Sequence, residues 1–309
     1  YAIALSHRSK GDFDKGSALL STLKLPDSDI DVRMELIYQL IQMGDNSPNT
    51  EDFLKLSSQA TDVYKAVTAA KVASAKGSQA EAAEKSVIMA DAYIAARSWE
   101  QALRELDKVG SLDVAPVKVI NRTILASLSS GRIKEAEVIL TQMNRAKKGD
   151  DVTQTMWGYY YMLTHQFTKA SDAIKPLVDK NLFPALVLDT YLNLTTGKPA
   201  KARQSAAKAI EIAPDSTDSQ MLVAYTERDP IASRHAFLNA LAFTPNLPEA
   251  YALRGLQTTN TTDSRKFETA NPLVEYAYKL DPKNSYALMA KAICLLAQKR
   301  SLEAQPVVL

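Results

Sequence analysis

The chain has 309 residues, 46% of them apolar, with 10 glycines and 13 prolines. That is ample material for a core and too few turn residues for an all-β chain. Lys and Arg number 37 against 35 Asp and Glu, a net charge of +2, which gives no basic footprint for nucleic acid. The one cysteine, Cys294, excludes an internal disulfide framework and any multi-cysteine zinc site.

The N-terminal quarter is the least regular. Gly11, Asp12 and Phe13 with Gly16 form a short run-up to a helix, and Ile30 to Met43 reads as an amphipathic helix with Met34, Ile37, Tyr38 and Ile41 on one face. Gly44 to Thr50 reads as a polar turn. Glu51 to Lys76 lacks any breaker, which leaves open one long helix or two short ones.

Beyond residue 78 a small residue returns at a nearly fixed interval. Ala102, Ala136, Ala170, Ala202, Ser233, Ala270 and Ala304 are separated by 34, 34, 32, 31, 37 and 34 residues. A bulkier residue stands three places before most of them, at Trp99, Ile133, Phe167, Pro199 and Phe267. A breaker often stands two further back, as in Gly131 and Gly197. A period in this range marks a solenoid of helical hairpins, in which no unit buries its apolar face alone. The expected fold is therefore all-α, a right-handed solenoid of stacked antiparallel hairpins. We divide it into irregular hairpins over residues 1–78 and a regular array over 79–309. From Gly16 to Ala102 is 86 residues, not a whole number of repeats, so a degenerate hairpin is expected between them.

The clearest hairpin runs from Asp150 to Asn181. Trp157, Gly158, Tyr161 and Met162 lie at helical spacing, the chain breaks around His165 and Gln166, and Phe167 restarts a helix carrying Ala170, Ile174, Leu177 and Val178. Small residues at Gly158 and Ala170 let the two axes approach, with Phe167 plugging the turn. In the next hairpin Pro199 sits where a helix begins, a place in which its missing N–H costs little. Pro214, Pro245 and Pro282 each close a hairpin. By this register Tyr1 falls mid-helix and Leu309 just inside the second helix of the last hairpin, so both ends are expected to be cut.

This pattern resembles the tetratricopeptide repeat family. Ala90, Tyr93, Trp99 and Ala102 match its small and aromatic positions in one unit, and Gly158, Tyr161, Phe167 and Ala170 in another. Tyr251, Gly255, Phe267, Ala270, Ala277 and Pro282 match in a third, with three extra residues in the Thr258 to Ser264 turn; Ala292 and Ala304 fit the last. The unit from Ala115 to Gly149 departs, with Ile124 and Ser127 at matched positions, and the short Asp215 to Pro245 unit has Ser233 for alanine.

The resemblance implies a concave groove that binds a protein or peptide partner. Carried over in register, its lining is Asp91, Ile94, Asn121, Leu125, Thr155, Tyr159, Met162, Val187, Tyr191 and Tyr225. Tyr159, Tyr191 and Tyr225 would form a ladder of rings, which supply contact area at low entropy cost. Repeats that clasp acidic chaperone C-termini carry Lys and Asn at groove positions. Here Val87 and Asp91, Asn121 and Leu125, Thr155 and Tyr159 occupy them, so that clamp is missing.

Nothing in the sequence gathers catalytic groups. His7, His165 and His235 fall in different hairpins, no phosphate-cradling loop appears, and Cys294 sits between Ile293 and Leu295 as a small buried hydrophobe. Arg145, Lys147 and Lys148 run into Asp150 and Asp151 as a solvated inter-repeat loop. Asn121, Asn193 and Asn260 each open a glycosylation pattern, weak without a secretory context. The expectation is a non-enzymatic interaction scaffold with no cofactor, no metal, no nucleic acid and no direct membrane insertion by this segment. By analogy of fold it is placed in a bacterial envelope system, for secretion, pilus assembly or exopolysaccharide export, and in the periplasm or envelope rather than the cytoplasm. A regulatory or substrate-presenting arm of a larger enzyme is the alternative. A cytoplasmic assembly scaffold, or a module that self-associates through its truncated ends, is another.

Overall fold

The computed structural model describes residues 2–23, 29–47, 49–259 and 265–308, all helix and connecting turn. The Asn260 glycosylation pattern, most of the Thr258 to Ser264 turn, Tyr1 and Leu309 lie outside them. In chain order the helices are α1 (Ala2–Ser9), α2 (Phe13–Thr22), α3 (Ile30–Asn46), α4 (Thr50–Gly77), α5 (Ala82–Ala95) and α6 (Trp99–Leu106). They continue with α7 (Val117–Ser129), α8 (Ile133–Arg145), α9 (Asp151–Leu163), α10 (Phe167–Asp179), α11 (Phe183–Thr195) and α12 (Pro199–Ile212). The last six are α13 (Thr217–Thr226), α14 (Pro230–Phe243), α15 (Pro248–Thr259), α16 (Lys266–Leu280), α17 (Ser285–Ala297) and α18 (Ser301–Val308). The breaker-free stretch after residue 50 is one helix of 28 residues, and α3 continues to Asn46 through the expected Gly44 turn.

The run-up to six of the second helices has a common geometry. Gly11, Arg97, Gly131, His165, Gly197 and Lys299 all have φ between 54° and 80°, each two residues before a helix starts. The following residue donates its N–H five residues back, as in Ser98 to Tyr93, Arg132 to Ser127, Gln166 to Tyr161 and Lys198 to Asn193. This is the helix stop in which a left-handed residue lets the next N–H satisfy an orphaned carbonyl. Glycine adopts that conformation freely, whereas His165 and Arg97 hold it against steric resistance.

Ala102, Ala136, Ala170, Ala202, Ser233, Ala270 and Ala304 are all buried. Their size sets the spacing of helix pairs. A Cβ added at Gly158 would lie 2.3 Å from Ile174 Cγ2 and 2.9 Å from Leu188 Cδ2, so α9 touches its own second helix and the next hairpin at one point. The all-α solenoid and its tetratricopeptide-type repeats follow directly from this recurring contact.

Packing divides the chain into two compact units that do not follow repeat regularity. One is Thr68–Arg228; the other joins Tyr1–Val67 to Asp229–Leu309. Within Thr68–Arg228 each hairpin stacks on the next, and the first helices α7, α9, α11 and α13 contact one another in order. Here the turn after α5 also reaches the start of α13: Arg97 Nη2 donates to Asp218 Oδ1 at 2.8 Å across 121 residues. The stack therefore curls tightly enough for its first hairpin to meet its fifth first helix.

The other unit is held by contacts between distant parts of the sequence. α3 packs on α14, and Asp45 at its end accepts from Arg234 Nη2 and Arg254 Nη2, both at 2.8 Å. Arg254 also lies 4.0 Å over the Phe53 ring. Burial depresses its pKa, opposed by the Asp45 charge. Tyr251 is fully buried and donates to the Pro245 carbonyl at 2.8 Å, with Thr61 donating to the same oxygen. Burial pushes the Tyr251 phenol far above its ordinary range.

Candidate partner-binding surface

The surface is built from the first helices of the hairpins in Thr68–Arg228. α9 starts on a capping box: the Asp150 carboxylate accepts the Thr153 N–H at 2.8 Å, and the Thr153 hydroxyl accepts the Asp150 N–H. α11 and α12 open on prolines, and α13 on a Ser216 hydroxyl that accepts the Ser219 N–H. These starts set where each helix begins, and packing against its neighbours sets which side chains face outward.

In register, five of the expected lining residues make a row on α9, α11 and α13, and all five are half-buried. Tyr159 packs between the core that α9 shares with the preceding hairpin and the core that α10 shares with α11, and Met162 leans on the latter. Val187 and Tyr191 cover the core formed by Leu186, Ala206, Ala209 and Leu222. The Tyr191 and Tyr225 rings meet edge to face, 5.5 Å apart at 78°. Aromatic contacts of this geometry stiffen both rings. Ile94 and Leu125 are half-buried as well.

Asn121 and Thr155 do not belong to that row, which corrects the expectation for both. Asn121 is 7% exposed: its amide donates to Asp150 at 2.9 Å and its carbonyl accepts the Thr153 hydroxyl at 2.8 Å. It stitches α7 to the cap of α9. Thr155 is 2% exposed and its hydroxyl is satisfied by the Asp151 carbonyl. Asp91 is half-buried and held by Arg122, whose Nε and Nη2 grip both carboxylate oxygens. That carboxylate in turn raises the Arg122 pKa. The sequence reading passed over Arg122, yet opposite charges stand 31 residues apart, close to one repeat. The same interval joins Arg132 to Glu100, Lys180 to Asp151 and Lys148 to the Asp113 carbonyl, across 32, 29 and 35 residues. The period organises the polar contacts as well as the core.

The surface offers apolar and aromatic contact, one charged pair at Asp91 and Arg122, and no gathered acid–base groups. Among the described residues no cluster of three or more His, Cys, Asp or Glu is placed to hold a metal. Cys294 is buried, and burial, followed by the Glu275 charge, pushes its thiol up. His165 is exposed in its turn. Asn121 and Asn193 are buried, which removes both as glycosylation acceptors in the folded chain. No helix among the described residues is long and apolar enough to cross a membrane.

No curated protein matches the chain. Among solved structures, a chain of the APC/C hetero-tetramer Cut9–Hcn1 superposes with a TM-score of 0.52 at 13% identity. The match covers 91% of this chain and 59% of that one, so this chain spans well under two thirds of it, and the likeness is one of fold. A tetratricopeptide repeat protein from Parabacteroides merdae gives 0.45 at 14% identity, covering 74% and 91% of the two chains. Yeast Tom70 gives 0.39 at 16%, covering 99% and 68%. A model of the coatomer epsilon subunit family matches residues 62–306, the greater part of the sequence. That family is a cytoplasmic vesicle-coat subunit, which overturns the periplasmic or envelope placement. The envelope placement rested on analogy of fold, which carries no compartment signal. The chain belongs to the coatomer epsilon subunit family.

Proposed function

We propose that the protein is an interaction subunit of a vesicle coat, and that it holds a segment of a neighbouring coat subunit against the row Tyr159, Met162, Val187, Tyr191 and Tyr225. Membership of the family supports the coat. One observation supports the site: the successive first helices α9, α11 and α13 carry three tyrosines, Met162 and Val187, all half-buried, and the Tyr191 and Tyr225 rings are in contact. Half-buried rings lose little entropy on binding, so such a row favours capture of an apolar segment.

The test is an affinity measurement between the full chain and the other purified subunits of its coat. Tyr191→Ala removes one ring of the pair. Tyr191→Ala should weaken binding about tenfold or more, the loss typical of an aromatic anchor. Unaltered affinity in a folded Tyr191→Ala protein would remove the row as the binding site.

A further inference from the structure

In the last hairpin, Ala292 of α17 takes the close-contact place held by Gly158 in α9 and Gly255 in α15. The stripe equivalent to the tyrosine row then falls on Tyr286, Met289, Ile293 and Leu296. Met289, Ile293 and Leu296 are 45%, 41% and 55% exposed, and Tyr286 is half-buried. Spacings of three, four and three residues align them on one helix face over about 15 Å. Other exposed large apolar residues, such as Val114, Val138, Ile212 and Ile231, stand singly on their elements. Single ones are ordinary on a protein surface, whereas a rimmed stripe marks a contact site.

α17 itself carries only positive charge, while Glu275, Asp281 and Glu303 approach it from its neighbours. No acidic residue lies between Ser285 and Leu302. Lys291 is committed elsewhere, to Glu275 at 3.0 Å and to the Tyr278 ring at 4.0 Å, and Arg300 is paired with Glu303. Lys283 and Lys299 are exposed, one beyond each end of the stripe, and neither makes an ion pair among the described residues. Uncommitted cations therefore sit at the two ends, with none along the flanks. A membrane surface would favour cations spread along the polar flanks of an amphipathic helix. Two end charges around a short apolar seam suit a segment of finite length.

We propose that this face of α17 docks an amphipathic helical segment of a protein partner, apolar along one side and acidic at both ends. The contact mode is a helix laid against a helix face, read by residues at one-turn intervals. It lies in the unit made of Tyr1–Val67 and Asp229–Leu309, apart from the tyrosine row, so either assignment fails without the other.

The test uses fluorescence anisotropy of two synthetic helical peptides on the full chain. Both carry leucines at i, i+3, i+7 and i+10; one has glutamates at its ends, the other lysines. The acidic peptide should bind saturably, and about tenfold more tightly than the basic one at low salt. Ile293→Glu should abolish that binding, and Lys283→Glu with Lys299→Glu should reverse the charge preference while far-UV circular dichroism stays unchanged. Equal affinity for the two peptides, or absence of saturable binding to either, overturns the proposal. So does self-association in sedimentation that Ile293→Glu removes, because the occupant is then a second copy. Pelleting with anionic vesicles that depends on Ile293, without peptide binding, overturns it in favour of lipid.

Discussion

Asp150 joins three roles in one carboxylate. It caps α9, accepts from Asn121 of the preceding hairpin, and faces Thr153 in a reciprocal box. Burial raises its pKa, but the Thr153 N–H and the Asn121 amide outweigh that and leave it below the ordinary carboxylate value. A depressed folded pKa stabilises above the unfolded value, and the contribution is lost as pH falls through the folded one. The gap in thermal midpoint between wild type and Asp150→Asn should therefore be open at neutral pH and narrow below about pH 4. Asparagine also caps, so this pair isolates the charge; Asp150→Ala should cost about 1 kcal/mol more broadly. Thermal melts across pH check the first and urea melts the second, and a gap that persists in acid would refute the linkage. This residue-level picture was only partly legible. A first-helix register places Asn121 and Thr155 beside the tyrosines, but it holds no information on the rotation that packing against neighbours sets. Asn121 became an inter-hairpin tie because Asp150 and Thr153 stand 29 and 32 residues later, within reach across one stacked repeat.

Among the elements, close approach at the small positions is the most sequence-determined feature. Alanine, serine or glycine at the repeat interval appears in the chain before any geometry is known, and each sits in contact. Gly158→Ala would gain about 1 kcal/mol of helix propensity. The added Cβ meets the branched methyl of Ile174 and a Leu188 methyl, and overpacking of that kind costs about 1–3 kcal/mol. We expect net destabilisation, read as a lower urea midpoint with an unchanged slope; a higher midpoint would show that α9 and α10 have room to move apart. Contacts between distant elements were not legible, because they obey no period. Asp45 meets Arg234 and Arg254 across 189 and 209 residues. Asp45→Ala would leave a buried guanidinium without its counter-charge, a loss of about 3–5 kcal/mol. Equilibrium unfolding measures it, and a loss under 1 kcal/mol would mean that the pair is solvated enough to be dispensable.

On the scale of the whole molecule, periodicity read from one chain yields the fold class and little about role. A 34-residue interval is shared by scaffolds in unrelated systems, so the partner and the compartment need information beyond the repeat. Family membership supports the coat proposed above, and the row on the first helices of Thr68–Arg228 is the surface proposed within it. A photo-crosslinking residue placed at Tyr191, on the row, and another at Lys208, exposed on the second helix α12, separate the two faces of one hairpin. The most direct measurement is crosslinking of these two proteins in the assembled coat. The account predicts a covalent adduct with a neighbouring subunit from position 191 and none from 208. An adduct from 208 alone would contradict it.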